Sequence, residues 1–162
     1  MPPTQEFTKE QLNYYRICYL TTDILTEGLR SLFKQEWDNR YKATLDEWKD
    51  DAKSGMAFHN RESARNQRRH AHLLVTIKNG DRAEWDCTML FYAILYSDCI
   101  GIVLSTTIKT NVDSLRKFRN EEFAHMPRGS LADTDFLNAI SKVHGAFQAL
   151  GLCTSRDRKS VV

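Results

Sequence analysis

The chain has 162 residues, enough for one domain with a buried core and no need of staples. A hydrophobic share of 41% and a charged share of 27% are those of a soluble globular protein, and 7 Gly with 3 Pro argue against a loop-rich β fold. A formal net charge of +2 is too small to announce a nucleic-acid binder, so the placement of charge matters more than its total.

In chain order, residues 1–6 read as a polar, disordered tail with no leader peptide. Thr8 starts a long helix whose Leu12, Tyr15, Tyr19, Leu25, Leu29, Leu32 and Phe33 recur at helical spacing, with an expected end near Trp37. Residues 38–61 are polar, with Trp48 and Phe58 as isolated anchors. They predict a short helix over residues 45–52 and a loop through Ser54-Gly55. Ser63 caps a second, arginine-rich helix that ends at Asn79-Gly80, a turn signal. Asp86 caps an apolar helix over residues 87–104, apolar nearly all round and therefore central. Its apolar run falls short of the ~20 residues that span a bilayer, so no membrane partner is expected. Thr110 caps the next helix, which Pro127 and Gly129 end. Asp133 caps the last, with Phe136, Ile140, Val143, Phe147 and Leu150 on one stripe and Gly151 just past its end.

No segment reads as a strand. The expected fold is all-α, an antiparallel bundle of four to six helices in one domain over residues 7–152. Residues 153–162, with Arg156, Arg158 and Lys159, form a basic tail. Cys18, Cys87, Cys99 and Cys153 include no CxxC pair, so buried free thiols in a reduced cytoplasmic setting are expected, with no metal site and no cofactor. His70 and His72 sit two apart, which on a helix points them to different sides.

Residues 115–125 are the most informative stretch. They put Arg119, Asn120 and His125 on one predicted helix. Val112, Leu115, Phe123 and Met126 define its apolar face, and Arg119 falls in the middle of that face at 100° per residue. A guanidinium there is costly unless paired. Either it forms a buried ion pair, with Glu122, Asp133 or Asp135 in reach, or it holds a phosphate in a cleft. Arg119 and His125 are about 9 Å apart along a straight helix and do not share a face. A catalytic site built from both is therefore expected to be composite, across the dyad of a homodimer.

This segment resembles the Arg-x4-6-His motif of HEPN domains (higher eukaryotes and prokaryotes nucleotide-binding). Residues 112–150 are similar to the subgroup found in the DAZ-interacting zinc-finger ubiquitin ligase, through Leu115-Arg116, Arg119-Asn120, Ala124-His125 and the helix that follows at Phe136. The match covers about half the chain and extends to the start of the apolar helix at Asp86. The resemblance implies an all-α bundle that dimerises and binds RNA. In active members it implies metal-independent endoribonuclease chemistry, with the ribose 2′-OH attacking the adjacent phosphorus. His125 would move a proton, Arg119 would stabilise charge, and Asn120 would orient the phosphate or His125. Inactive members of the family are binding or interaction modules within larger regulatory proteins, some of innate-immune architecture. A non-catalytic helical adaptor is accordingly the alternative.

Two further sets of residues bear on RNA. Arg65, Arg68 and Arg69, within Arg65-Asn66-Gln67-Arg68-Arg69-His70, read as a solvated basic face that contacts RNA backbone together with Arg116. Trp37, Tyr41, Trp48 and Trp85 could stack on bases, but at these spacings they fit core anchors better.

Overall fold

Thr8 begins the first helix with a capping box. Its hydroxyl accepts from the Gln11 N–H at 3.1 Å, and the Gln11 side chain accepts from the Thr8 N–H at 2.8 Å. The computed structural model describes residues 6–152; residues 1–5 and the basic tail 153–162, with Cys153, lie outside them. Every regular element among the described residues is helical, and no helix there is long and apolar enough to cross a membrane.

Helix α1 (Lys9–Tyr19) runs into a π turn, Leu20–Ile24, and then into α2 (Leu25–Leu45). The first helix therefore passes its expected end at Trp37. The short helix expected over residues 45–52 does not form. Asp46 and Asp50 adopt positive φ (74° and 55°), and Trp48 turns inward. The Asp38 carboxylate accepts from the Trp48 N–H (2.7 Å), and the Trp48 indole donates to the Gly80 carbonyl (3.0 Å). Burying a tryptophan outweighs the local helical preference of a short segment.

Helix α3 (Ala52–Arg61) starts where the Asp51 carboxylate accepts from the Ser54 N–H at 2.9 Å. Ser54-Gly55, expected as a loop, lies inside it. Gly55 is there for closeness: a Cβ would sit 2.2 Å from the Lys78 carbonyl oxygen, so only glycine lets the two segments meet. Ser63 caps as expected, but the arginine-rich helix is two pieces, α4 (Ala64–Arg69) and α5 (Ala71–Ile77), broken at His70 (φ −116°, ψ 25°).

Asp86 caps α6 (Cys87–Phe91), which widens into a second π turn, Tyr92–Tyr96. It stops at Ser97 rather than near residue 104. The buried Glu62 carboxylate accepts from the Asp98 N–H (3.1 Å) and the Tyr92 hydroxyl (2.7 Å), and so anchors the chain reversal. Burial first, and Glu62 second, push the Tyr92 phenol up. Helix α7 (Thr106–Lys117) is capped by Ser105, five residues earlier than the Thr110 expected. It continues through a third π turn, Phe118–Glu122, and a 3₁₀ turn, Phe123–His125.

Helix α8 (Asp133–Ala149) has Ala132 in the capping position, so Asp133 does not cap it. That carboxylate instead accepts from the buried Asn13 amide (2.8 Å) and pairs with Lys9 (3.0 Å), which ties α1 to α8. Asn13 first and Lys9 second hold the Asp133 carboxyl below its usual range. Gly151 (φ 69°) ends α8 in a Schellman motif: the Leu152 N–H reaches the Phe147 carbonyl (2.8 Å) and the Gly151 N–H reaches Gln148 (3.1 Å). The result is a helical bundle of more segments than the four to six expected.

Trp37, Trp48 and Trp85 are fully buried around Phe33, edge-on to one another and to its ring at 4.8–5.4 Å for Phe33–Trp48, Phe33–Trp85, Trp37–Trp48 and Trp48–Trp85. They are core and not a stacking surface for bases. Cys87 and Cys99 are buried free thiols as expected, whereas Cys18 is only half-buried.

Candidate nucleic-acid interface

The three π turns converge. Each inserts one residue into a helical turn, which rotates the side chains that follow by about 100°. In α7 the apolar series Val112, Leu115, Phe118 then skips to Phe123. Arg119 leaves the apolar stripe and comes to the rim, half-buried, with Asn120 exposed beside it. Its Nη1 donates to the Asn120 Oδ1 at 3.2 Å. Of the two alternatives for Arg119, the buried ion pair does not form among the described residues. Glu122 pairs with Lys142, Asp133 pairs with Lys9, and Arg119 has no carboxylate partner among the described residues.

Arg119 and Asn120 form a ridge between two clefts. On one side lies a groove of about 430 Å³, lined by Arg69, His70, His72, Thr88, Tyr92, Tyr96 and Arg116 with a few apolar side chains and, among the described residues, by no carboxylate. Tyr92 and Tyr96 come from the second π turn, Arg119 and Asn120 from the third. Arg116 gives its Nε–H to Asp113 at 2.8 Å, which fixes its stem and leaves its other donors available.

His70 and His72 both line this groove, against the expectation that they diverge. The helix break at His70 is the reason, because the spacing rule holds only within one continuous helix. The His70 ring lies 4.4 Å from that of Tyr92. Burial, with Arg69 and His72 adding to it, holds its pKa below the ordinary 6.5.

On the other side of the ridge is a cleft of about 650 Å³. The first π turn supplies Thr21 and Thr22, α2 supplies Thr26, and Asp86, Cys87 and Phe123 complete it. Burial pushes the Cys87 thiol up, against the Thr26 hydrogen bond and the Arg119 charge.

The sequence-selected residues divide accordingly. Arg69, Arg116, Arg119 and Asn120 come together in the groove. Arg65 and Arg68 are exposed on α4 and do not line it. His125 lies apart, exposed at the end of the 3₁₀ turn beside a separate hollow of about 300 Å³ with Glu122, Asp135, Asn138 and Lys142. One copy of the chain thus does not bring Arg119 and His125 to the same cavity.

A fourth cavity, about 730 Å³ between α7 and Tyr96, mixes Lys109, Lys117 and Lys142 with Asp113, Glu121 and Glu122, so its charges balance. Not selected from sequence as site residues are His70 and His72, Tyr96 and the three threonines; the five-residue step from Phe118 to Phe123 could have signalled the π turn that carries Arg119 and Asn120, but nothing in the sequence marks the others. No group of His, Cys, Asp and Glu among the described residues is arranged to hold a metal ion. Comparison with family models, with characterised proteins and with solved structures gives no match.

Proposed function

We propose that this chain is a HEPN-type domain that binds single-stranded RNA through the Arg69–Arg116–Arg119 groove. The observation that carries the reading is charge composition. Among the described residues, three arginines and two histidines face one groove that no carboxylate lines, and Arg119 is paired with no protein anion. Such a surface suits phosphate, which guanidinium binds with paired hydrogen bonds. The exposed Tyr96 offers a face on which a base can stack.

Cleavage, on this reading, happens at a composite site in a homodimer. Arg119 of one copy holds the scissile phosphate, and His125 of the second copy takes the proton from the 2′-OH as that oxygen attacks phosphorus; the P–O5′ bond breaks, a 2′,3′-cyclic phosphate is left, and the departing 5′-oxygen takes a proton from water. The separation of Arg119 from His125 in one copy supports this arrangement.

The test is cleavage of a labelled single-stranded RNA in EDTA by the wild-type chain, His125→Ala and Arg119→Ala. Cleavage that survives EDTA and is lost in both variants supports the nuclease. Salt-dependent binding without cleavage leaves an RNA-binding module.

An adaptor is the second reading, and a specific feature favours it. Phe7, just before the first helix, and Tyr15 and Tyr19 on it are exposed, with Phe7 edge-on to Tyr15 at 5.4 Å. Loss of self-association in Tyr15→Ser/Tyr19→Ser, with no RNA binding by the wild type, would favour it over the RNA reading.

A further inference from the structure

The basic groove accounts for only one side of the Arg119–Asn120 ridge. The cleft on the other side has a different chemistry. It holds one cation and one carboxylate, hydroxyls, and the half-buried ring of Phe123. A surface that only tracks a phosphate backbone needs none of these.

Its polar groups separate into two kinds. Thr22 donates to the Cys18 carbonyl (2.7 Å), Thr26 donates to the Thr22 carbonyl (2.6 Å), and Asp86 accepts from the Met89 N–H (2.9 Å). These are satisfied within the protein. The Thr21 hydroxyl is not: Thr21 is only 2% exposed, it lines the cleft, and its oxygen has no hydrogen-bond partner among the described residues. A buried hydroxyl left unpaired is costly and calls for an explanation. The Asn120 amide is the counterpart. Its oxygen is taken by Arg119, which orients the group and leaves the NH₂ free to donate. Both residues sit in π turns, a deviation common at functional sites.

A hydroxyl and an amide beside an aromatic ring, next to a phosphate-binding groove, suit a flat, neutral heterocycle with hydrogen-bonding edges. We propose that this cleft is a nucleobase subsite: the phosphate of a single-stranded RNA lies in the basic groove, and its base crosses the ridge to pair with Thr21 and Asn120 and pack on Phe123. The inference rests on the RNA-binding reading above. It adds that binding is base-selective, and that duplex RNA, whose bases are stacked away, is a poor ligand.

The experiment is fluorescence anisotropy with labelled single-stranded homopolymers of adenosine, uridine and cytidine, each titrated over a salt series, for wild type, Thr21→Val and Asn120→Leu. The expected wild-type result is a spread of about tenfold or more between the best and worst homopolymer, the size of one base-edge contact. Both variants should collapse that spread while the slope of log K against log salt stays at its wild-type value, since neither removes a cation.

Asn120 is exposed, so its variant carries the test if Thr21→Val fails to fold. Equal wild-type affinities, or a spread that survives both substitutions, would overturn the base subsite and leave the groove standing. Absence of any salt-dependent RNA binding would overturn the RNA reading and this inference with it.

Discussion

Trp48 has its own polar groups matched, while the buried Trp85 Nε1 and Arg30 Nε near it lack partners among the described residues but line neither cleft. The Trp48 N–H goes to Asp38, its carbonyl accepts from Lys34, and its indole donates to Gly80. Arg82 clamps the same loop by donating to Asp50 from Nε (2.7 Å) and to the Arg30 carbonyl (2.9 Å). That pairing, led by the Arg82 hydrogen bond, holds the Asp50 carboxyl below its usual range. Around Arg119 the pattern inverts among the described residues: a guanidinium without a carboxylate, an amide with unused donors, and a buried hydroxyl with no partner. The helices are regular at the first place and widened into π turns at the second. The contrast separates what holds the bundle from what the bundle holds out to a ligand, because unpaired polar groups next to a cleft cost stability and offer contacts.

The largest effect that tests this division is at the core. Trp48→Ala removes a fully buried ring packed edge-on against Phe33, Trp37 and Trp85. The expected loss is about 3–5 kcal/mol of folding stability, read by urea denaturation. RNA affinity below the melting transition should be unchanged. A variant that keeps full stability would mean that the aromatic cluster is not the core it is taken to be.

Arg119→Ala should do the opposite. It removes no ion pair, so the unfolding midpoint should move little. The salt slope of single-stranded RNA binding should fall by about 0.7, one phosphate contact. A large drop in stability with an unchanged slope would assign Arg119 to structure.

A mixing experiment sharpens the split between Arg119 and His125. If the site is composite, a mixture of Arg119→Ala and His125→Ala chains forms dimers in which one of the two sites is whole. An equimolar mixture should recover about a quarter of wild-type cleavage, although each variant alone is inactive. No recovery under conditions where subunits exchange would place both residues in one copy's site or in none.

Much of the scaffold was legible in the sequence. Thr8, Ser63 and Asp86 cap helices as their side chains predict, and Gly151 ends the last one. The misses have physical causes of two kinds. Tertiary burial overrode local preference at Trp48, and a close crossing placed Gly55 within a helix rather than a loop. The candidate site was harder to read, because projection at a constant 100° per residue assumes an unbroken helix. The π turn moved Arg119 out of the apolar face, and the break at His70 brought two histidines into the same groove. Arg65, Arg68 and Arg69 looked equivalent as a basic run, and only Arg69 lines the groove.

The smallest expected effect concerns His70, which stands on the boundary between the two regions. Burial against Tyr92, with the charge of Arg69 and the neighbouring His72, lowers its pKa, and Glu62 opposes that only in part. Its neutral form is therefore the one the fold prefers. The stability this gives is present above the ordinary pKa near 6.5 and is lost as pH falls through the lowered value. Phosphate in the groove acts in the other direction, because an anion beside His70 favours the protonated ring. Acidification from pH 7.5 to 5.5 should thus lower the melting temperature of the free protein and tighten its grip on single-stranded RNA, and His70→Gln should weaken both trends. Paired melting and anisotropy series over that range test it. If His70→Gln flattens the melting series and leaves the binding series as steep as in the wild type, His70 belongs to the packing of Tyr92 and the groove takes up its proton elsewhere, with His72 the remaining histidine on its wall.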